Sequence, residues 1–186
     1  MRIISGIFKG KKIDFLSSAT TRPLKDSVKE NIFNILAHSN FIRVKVEYAK
    51  VLDLYSGIGS FGLECLSRKA RKVTFVEQDN KALSVLKKNL KYLHLNSRFE
   101  IVKENVEKFV EISISEKYTI FFFDPPFSDN RLLKILIRIK ENKAYEKNHI
   151  IIIHREKKSK DEFNSILKNK FEKSYGRSKI IFGTFT

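Results

Sequence analysis

Val51-Leu52-Asp53-Leu54-Tyr55-Ser56-Gly57-Ile58-Gly59-Ser60-Phe61-Gly62 is the stretch that decides the fold. Val51 to Leu54 is a short apolar strand, and the glycines after it allow a tight turn. Gly57, Gly59 and Gly62 stand as G-x-G-x-x-G, and the segment Phe61 to Arg68 follows as a helix. That setting, strand then glycine turn then helix, lets a ligand approach backbone closely.

Outward from this point, strands and helices alternate. Val73 to Val76 reads as a strand and Asn80 to Leu93 as a helix. Phe99 to Val102 is a short strand, and Val106 to Glu111 a short helix. Thr119 to Phe123 is a buried strand, Asn130 to Glu141 a helix, and His149 to His154 a strand. Lys160 to Lys170 has helical apolar spacing. Phe171 to Tyr175 and Lys179 to Thr186 suit two strands joined near Gly176. Continuous apolar strands alternating with helices imply an α/β protein with a parallel sheet covered on both faces. Right-handed crossovers then make the sheet open, doubly wound and Rossmann-like, with ligands at the C-terminal ends of its strands.

Before the glycine turn the pattern differs. Arg2-Ile3-Ile4 and Lys12-Ile13-Asp14-Phe15 are β-prone and flank Gly6 and Gly10, so residues 1–16 read as a short hairpin. A polar loop ends in Thr21-Arg22-Pro23. Ser27 and Glu30 have capping-box spacing. The helix after them puts Val28, Ile32, Ile35 and Leu36 on one face, with Phe33 at its edge. We divide the chain into residues 1–25, a basic hairpin and loop, and residues 26–186, the α/β domain.

The 186 residues suffice for one domain with a sizeable core. No run of about 18 apolar residues appears, so no membrane span is expected. The N-terminus carries charge where an export signal needs an apolar core, and the expected location is the cytoplasm. One cysteine, Cys65, excludes an internal disulfide and a cysteine-based metal site; no metal is expected. The four histidines lack metal-type spacing, and Ser56 has no local base to make it a nucleophile. The net charge is +16, with 27 Lys and 10 Arg against 21 acids. Such a surplus favours a polyanionic partner. Lys9, Lys11 and Lys12 crowd a small hairpin, where cations repel one another without a polyanion; with Arg2, and with Arg22 as a phosphate or base contact from the loop, they are the candidate nucleic-acid contacts.

The ends of the strands carry the chemistry. Glu77 closes the second strand, 24 positions after Asp53, where a carboxylate can accept both hydroxyls of a ribose. The glycines and Glu77 suit either a nicotinamide cofactor or S-adenosylmethionine. Asp53 separates them, because a carboxylate there suits the ammonium of a methionine moiety and repels a pyrophosphate. Asn105 follows the third strand; its side-chain oxygen can accept from an adenine amino group or cap the next helix. Tyr55 and Gln78, beside these residues, complete the candidate cofactor wall.

Phe121-Phe122-Phe123-Asp124-Pro125-Pro126-Phe127 is the most specific element. A buried strand runs into a turn stiffened by two prolines, which remove two backbone donors. What remains is acceptor-rich: the Asp124 carboxylate and the Pro125 carbonyl, with the Phe127 ring alongside. The amino group of a nucleobase is a poor nucleophile, because its lone pair is delocalised into the ring. Two acceptors holding its N–H bonds out of plane would localise that pair toward a methyl donor. Asp124, Pro125 and Phe127 are thus the candidate catalytic set, with Asp124 also bordering the cofactor. The target base must be unpaired or flipped out.

These residues together resemble the amino-methyltransferases with an (Asp/Asn)-Pro-Pro-(Tyr/Phe) motif. Within them, Met1 to Gly6, Phe8 to Lys12, Thr21-Arg22-Pro23 and Lys29 to Leu36 resemble the RsmD-type bacterial 16S ribosomal RNA guanine-N2 methyltransferases. The resemblance implies a seven-strand methyltransferase sheet, S-adenosylmethionine as cofactor, and transfer to N2 of a guanine in a 30S particle or its 16S RNA. It places Asp124 and Pro125 on the target amine, Phe127 on the base, Asp53, Gly57 and Gly59 on the cofactor, and Glu77 on its ribose. Asn105 stands where many relatives carry Asp, and Phe127 replaces a frequent Tyr. The expected state is a monomer. The alternatives are a DNA adenine-N6 or cytosine-N4 methyltransferase and a non-catalytic RNA-binding assembly factor.

Overall fold

The computed structural model describes residues 1–16, 24–95, 97–126 and 128–186. Arg22 and Phe127 lie outside the described residues, as does Thr21-Arg22-Pro23 as a whole. The elements run α1 (Asp26–His38), β1 (Lys50–Leu54), α2 (Ser60–Ser67), β2 (Lys72–Glu77), α3 (Asn80–Tyr92) and β3 (Phe99–Lys103). Then come α4 (Val106–Lys108) with a π turn (Phe109–Ser113), β4 (Tyr118–Phe123), α5 (Leu132–Glu141), β5 (Tyr145–Glu156), β6 (Leu167–Tyr175) and β7 (Ser178–Phe185).

The seven strands form one sheet in the order β3-β2-β1-β4-β5-β7-β6. β1 to β5 pair in parallel, and β7 runs antiparallel to both β5 and β6. This is the Rossmann-like, seven-strand methyltransferase sheet. Its order reverses between β1 and β4, which opens a crevice at their C-terminal ends.

Alternation along the strands feeds two cores. Val51, Ile120, Phe122, Ile150 and Ile152 pack on one face with α1, α2 and α3. Leu52, Leu54, Phe121, Phe123, Ile151 and Ile153 pack on the other with α5 and the π turn. On the first face Phe61 stacks between Phe122, at 4.1 Å, and Phe33, at 5.1 Å. Truncating a phenylalanine this buried costs about 3–5 kcal/mol. Phe33 is therefore central to the α1 contact rather than at its edge.

Two local expectations need correction. The Ser27/Glu30 capping box does not form: α1 starts at Asp26 after Lys25, without a side-chain cap, and the Ser27 carbonyl accepts from Asn31 Nδ2. Asp26 in the first turn offsets the helix dipole instead. The helix expected over Lys160 to Lys170 is absent. Phe163, Ile166 and Leu167 are buried, but only one turn winds up, with Leu167 N–H donating to the Phe163 carbonyl at 2.8 Å. Pairing of Leu167 with Phe185 then takes the chain into β6. The apolar spacing is that of a single turn entering a strand.

The N-terminal hairpin forms around the antiparallel bridge Arg2 to Lys12, with Ile3 N–H donating to the Lys11 carbonyl at 3.0 Å and Ile13 N–H to the Met1 carbonyl at 3.1 Å. α2 fastens it to the rest of the domain. Glu64, fully buried, accepts from Ile4 N–H at 2.7 Å and Ser5 N–H at 2.9 Å. The Ser67 hydroxyl accepts from Phe8 N–H and donates to the Ser5 carbonyl. The buried Lys29 ammonium of α1 donates to the Arg2 carbonyl and lies 3.9 Å from Glu64. Ile3 and Ile13 join the first core.

Candidate active site

The turn after β1 is shaped by what its glycines must avoid. Gly59, the N-cap of α2, has φ +83°, and a Cβ there would meet Leu86 at 2.5 Å. A Cβ on Gly62 would come within 2.3 Å of the Phe75 ring, so only glycine lets α2 lie this close to β2. Without a side chain, Gly59 cannot cap α2. Asp53 does so from β1, its Oδ2 accepting from Gly62 N–H at 2.9 Å. Asp53 is 1% exposed. Burial pushes its carboxyl well above the usual range; the Gly62 N–H pulls back, and the charges of Asp124 and Glu77 push further.

Glu77, at the end of β2, organises the same turn. One carboxylate oxygen accepts from Gly57 N–H at 2.8 Å, and the other from the N–H groups of Gln78 and Asp79, both at 2.8 Å. Asn105 caps α4, its Oδ1 accepting from Glu107 N–H at 2.9 Å. Its amide nitrogen donates to Gln78 Oε1 at 3.2 Å, so the two candidate cofactor residues form one edge. Tyr55 holds a positive φ of 59° and donates its hydroxyl to Asp129 at 3.1 Å. Burial and the adjacent Asp129 carboxylate keep that phenol protonated far above its ordinary range.

On the other side of the crevice, Asp124 leaves β4. Its backbone N–H is 3.4 Å from the Leu54 carbonyl, which places it beside the glycine turn. Its Oδ1 lies 2.7 Å from Nδ1 of His154. Phe123 pairs with Ile153, so Asp124 and His154 are the first residues past matched apolar runs on adjacent parallel strands. The His154 side chain is 6% exposed and that of Asp124 22%, so the carboxylate is gripped from behind and open in front.

The turn beyond Asp124 is fastened independently. The Pro126 carbonyl accepts from Asp129 N–H at 2.8 Å and from Arg155 Nη1 at 3.3 Å. Arg155 is itself held by both oxygens of Asp161, at 2.7 and 3.1 Å. Burial alone would raise the Asp129 carboxyl, but Arg131 and Tyr55 hold it below the usual range. Among the described residues nothing donates to the Pro125 carbonyl, so that acceptor remains available.

The structure therefore brings Asp53, Tyr55, Gly57, Gly59, Glu77, Gln78, Asn105, Asp124 and Pro125 to the ends of β1, β2, β3 and β4. Arg2, Lys9, Lys11 and Lys12 lie on the hairpin over α2. Lys11 is partly engaged, its ammonium 5.5 Å from the Phe8 ring centre and 5.6 Å from that of Tyr92. His154, Asp129 and Arg155 do not stand out in the sequence. The signal for His154 lies in two parallel apolar runs, each ending in one polar residue, but reading it requires knowing that they are neighbours.

The donor set fits S-adenosylmethionine. Carboxylates stand at both ends of the glycine turn, suited to an ammonium and a ribose diol. The Ser56 hydroxyl in that turn is buried and has no partner among the described residues. A Cβ at Gly57 would meet nothing within 4 Å, so the turn faces open space where a ligand can lie against backbone.

A Rossmann-like sheet of this order, with a glycine turn after β1 and Asp-Pro-Pro after β4, defines the methyltransferase class. A family model described as "Conserved hypothetical protein 95" matches residues 1–184, and the chain belongs to that family, the RsmD-type methyltransferases. It is 34% identical over 159 residues to "Ribosomal RNA small subunit methyltransferase D" of Haemophilus influenzae, covering 84% of this chain and 79% of that one. The protein of the same name from Buchnera aphidicola (subsp. Acyrthosiphon pisum) is 36% identical over 157 residues, covering 84% and 78%. Among solved structures, "Putative methyltransferase yhhF from Escherichia coli" superposes with a TM-score of 0.83 at 27% identity, covering 100% of this chain and 98% of the other.

Proposed function

We propose that the protein transfers a methyl group from S-adenosylmethionine to the exocyclic N2 of a guanine in 16S ribosomal RNA, acting as a cytoplasmic monomer on the small-subunit particle. The observation that carries this reading is the Asp124 carboxylate, fixed by His154 and facing the crevice beside an available Pro125 carbonyl. The names of the relatives support ribosomal RNA as the substrate.

When bound, S-adenosylmethionine supplies an electrophilic sulfonium methyl. Asp53 would hold its ammonium, Glu77 its ribose hydroxyls, and the Gln78–Asn105 edge its adenine, with Tyr55 closing the wall. Asp124 and the Pro125 carbonyl accept the two N–H bonds of the target amine and turn its lone pair toward the methyl carbon. Phe127 stacks on the flipped base. Because the methyl would arrive without its bonding electrons, the methylated amine would be cationic, and Asp124 or water would take its surplus proton. Positioning of the two reactants supplies most of the acceleration. Arg2, Lys9, Lys11, Lys12 and Arg22 hold the RNA backbone, and residues 1–25 act as an RNA-gripping extension of the catalytic domain.

Labelled methyl transfer into 30S particles lacking the modification, free 16S RNA and duplex DNA tests this reading. Label in ribosomal RNA supports it. Label only in DNA moves the assignment to a DNA amino-methyltransferase. No label with the cofactor bound leaves a non-catalytic RNA-binding factor.

A further inference from the structure

At the end of the sheet opposite the active site lies a cleft of about 1300 Å³ between α1, the loop after it, and the first residues of β5 and β6. Two irregularities in strand pairing open onto it. On β5, pairing jumps from Tyr118–Tyr145 to Ile120–Ile150, so the strand bows outward and exposes Lys147 and Asn148. On β6, pairing jumps from Lys168–Thr184 to Phe171–Phe182, with Asn169 at φ +51°. Bulges re-aim side chains, and these two bring Lys147, Lys168 and Lys170, each next to an asparagine, to one cleft.

Arg43 and Lys173 also line the cleft. None of these five cations has an ionic partner among the described residues. Glu172 is the one acidic side chain lining the cleft among the described residues, and it lies 4.0 Å from Lys179, so the five cations remain in excess. Like charges gathered without counter-charge repel, and the array fits a polyanion whose bound counterions are released on contact. The asparagine amides can both donate to and accept from sugar and base edges. At the rim Phe41 is 89% exposed, a ring on which an unpaired base can stack.

We propose that this cleft is a second RNA-binding surface, which holds the phosphate backbone of a single-stranded segment of the substrate distant from the methylated base. The proposal rests on the reading of the substrate as RNA. It gives the enzyme two grips on one RNA, one at each end of the sheet.

The test is fluorescence-anisotropy binding of labelled 16S RNA fragments across a salt series. The variant K147E/K168E/K170E is compared with K81E/K87E/K88E, which makes the same charge change on the exposed face of α3. The cleft variant is expected to bind at least about tenfold more weakly and to flatten the salt dependence by about 2 in slope, at ~0.7 for each phosphate no longer neutralised. The α3 variant should change affinity by less than about threefold, and both should retain binding of S-adenosylhomocysteine. Phe41→Ala, at an exposed position that leaves the core intact, should weaken RNA binding by about fivefold or more by removing the stacking ring. Equal weakening in the two triple variants, or unchanged binding in the cleft variant and in Phe41→Ala, would overturn the cleft's role while leaving the RNA substrate in place. A wild-type protein without affinity for RNA would remove both.

Discussion

His154 Nδ1 lies 2.7 Å from Asp124 Oδ1, and the contact is built into the register of β4 and β5. A carboxylate on a turn after a strand has rotamer freedom that would blur its aim at an amine. The buried imidazole removes that freedom from behind, and the prolines remove it from the backbone. In the proposed reaction His154 would therefore position Asp124.

Asp124→Ala should lower kcat by about two to three orders of magnitude, the scale of removing one preorganised polar group from a transition state. Binding of S-adenosylhomocysteine should persist within about threefold. Calorimetry and single-turnover transfer check the two halves. Wild-type turnover by this variant removes Asp124 from the chemistry.

His154→Gln keeps a hydrogen-bonding side chain and should lower kcat less than His154→Ala does, with the KM for cofactor unchanged in both. Combined with Asp124→Ala, His154→Ala should add little, because the two act as one unit. Full additivity in the double-mutant cycle would mean that His154 acts elsewhere.

Glu77→Ala removes the acceptor of Gly57 N–H together with the proposed ribose contact. Hydrogen bonds to a charged group contribute about 1.5–3 kcal/mol, so cofactor affinity should fall by roughly 10- to 100-fold. Isothermal titration reads this directly, and an unchanged affinity contradicts the assigned role.

Asp53 predicts the pH dependence of cofactor binding. Its folded pKa is raised, so the free protein takes up a proton on this group as pH falls from a higher starting point than an ordinary carboxyl would. The neutral acid attracts an ammonium poorly, and affinity should decline with acidification through that pKa. Asp53→Asn should bind more weakly at neutral pH and lose this acid limb. A wild-type affinity flat on the acid side contradicts an Asp53–ammonium contact.

Glu64→Ala leaves Lys29 buried beside a missing carboxylate and frees two N–H groups of the hairpin. Breaking a buried charge network in this way costs about 3–5 kcal/mol. The denaturant midpoint should fall, and residues 1–16 should become susceptible to protease before the sheet opens. Unchanged protection of those residues would show that Ile3 and Ile13 alone hold them.

The centre of the sheet is legible in the sequence because β1, β2, β4 and the second half of β5 are almost continuously apolar, and because Gly59 and Gly62 admit no Cβ. The position of Asp124 and Pro125 at the crevice is legible because they directly follow a buried apolar strand, where a doubly wound sheet opens. His154 is not, since its role depends on which strand lies beside β4. Nor is the capping of α2 by Asp53, a contact across nine residues that local rules do not describe. The absent helix over Lys160 to Lys170 shows the reverse error. One turn's worth of spacing at Phe163, Ile166 and Leu167 serves a strand entry as well as a helix.

The most direct test of the central claim is the identity of the methylated nucleoside. Small-subunit particles lacking the modification are incubated with the protein and labelled S-adenosylmethionine, then digested and resolved by mass. N2-methylguanosine from wild type, and its loss with Asp124→Ala, is the predicted result. A methyl group on any other nucleoside, or undiminished N2-methylguanosine from the variant, would contradict it.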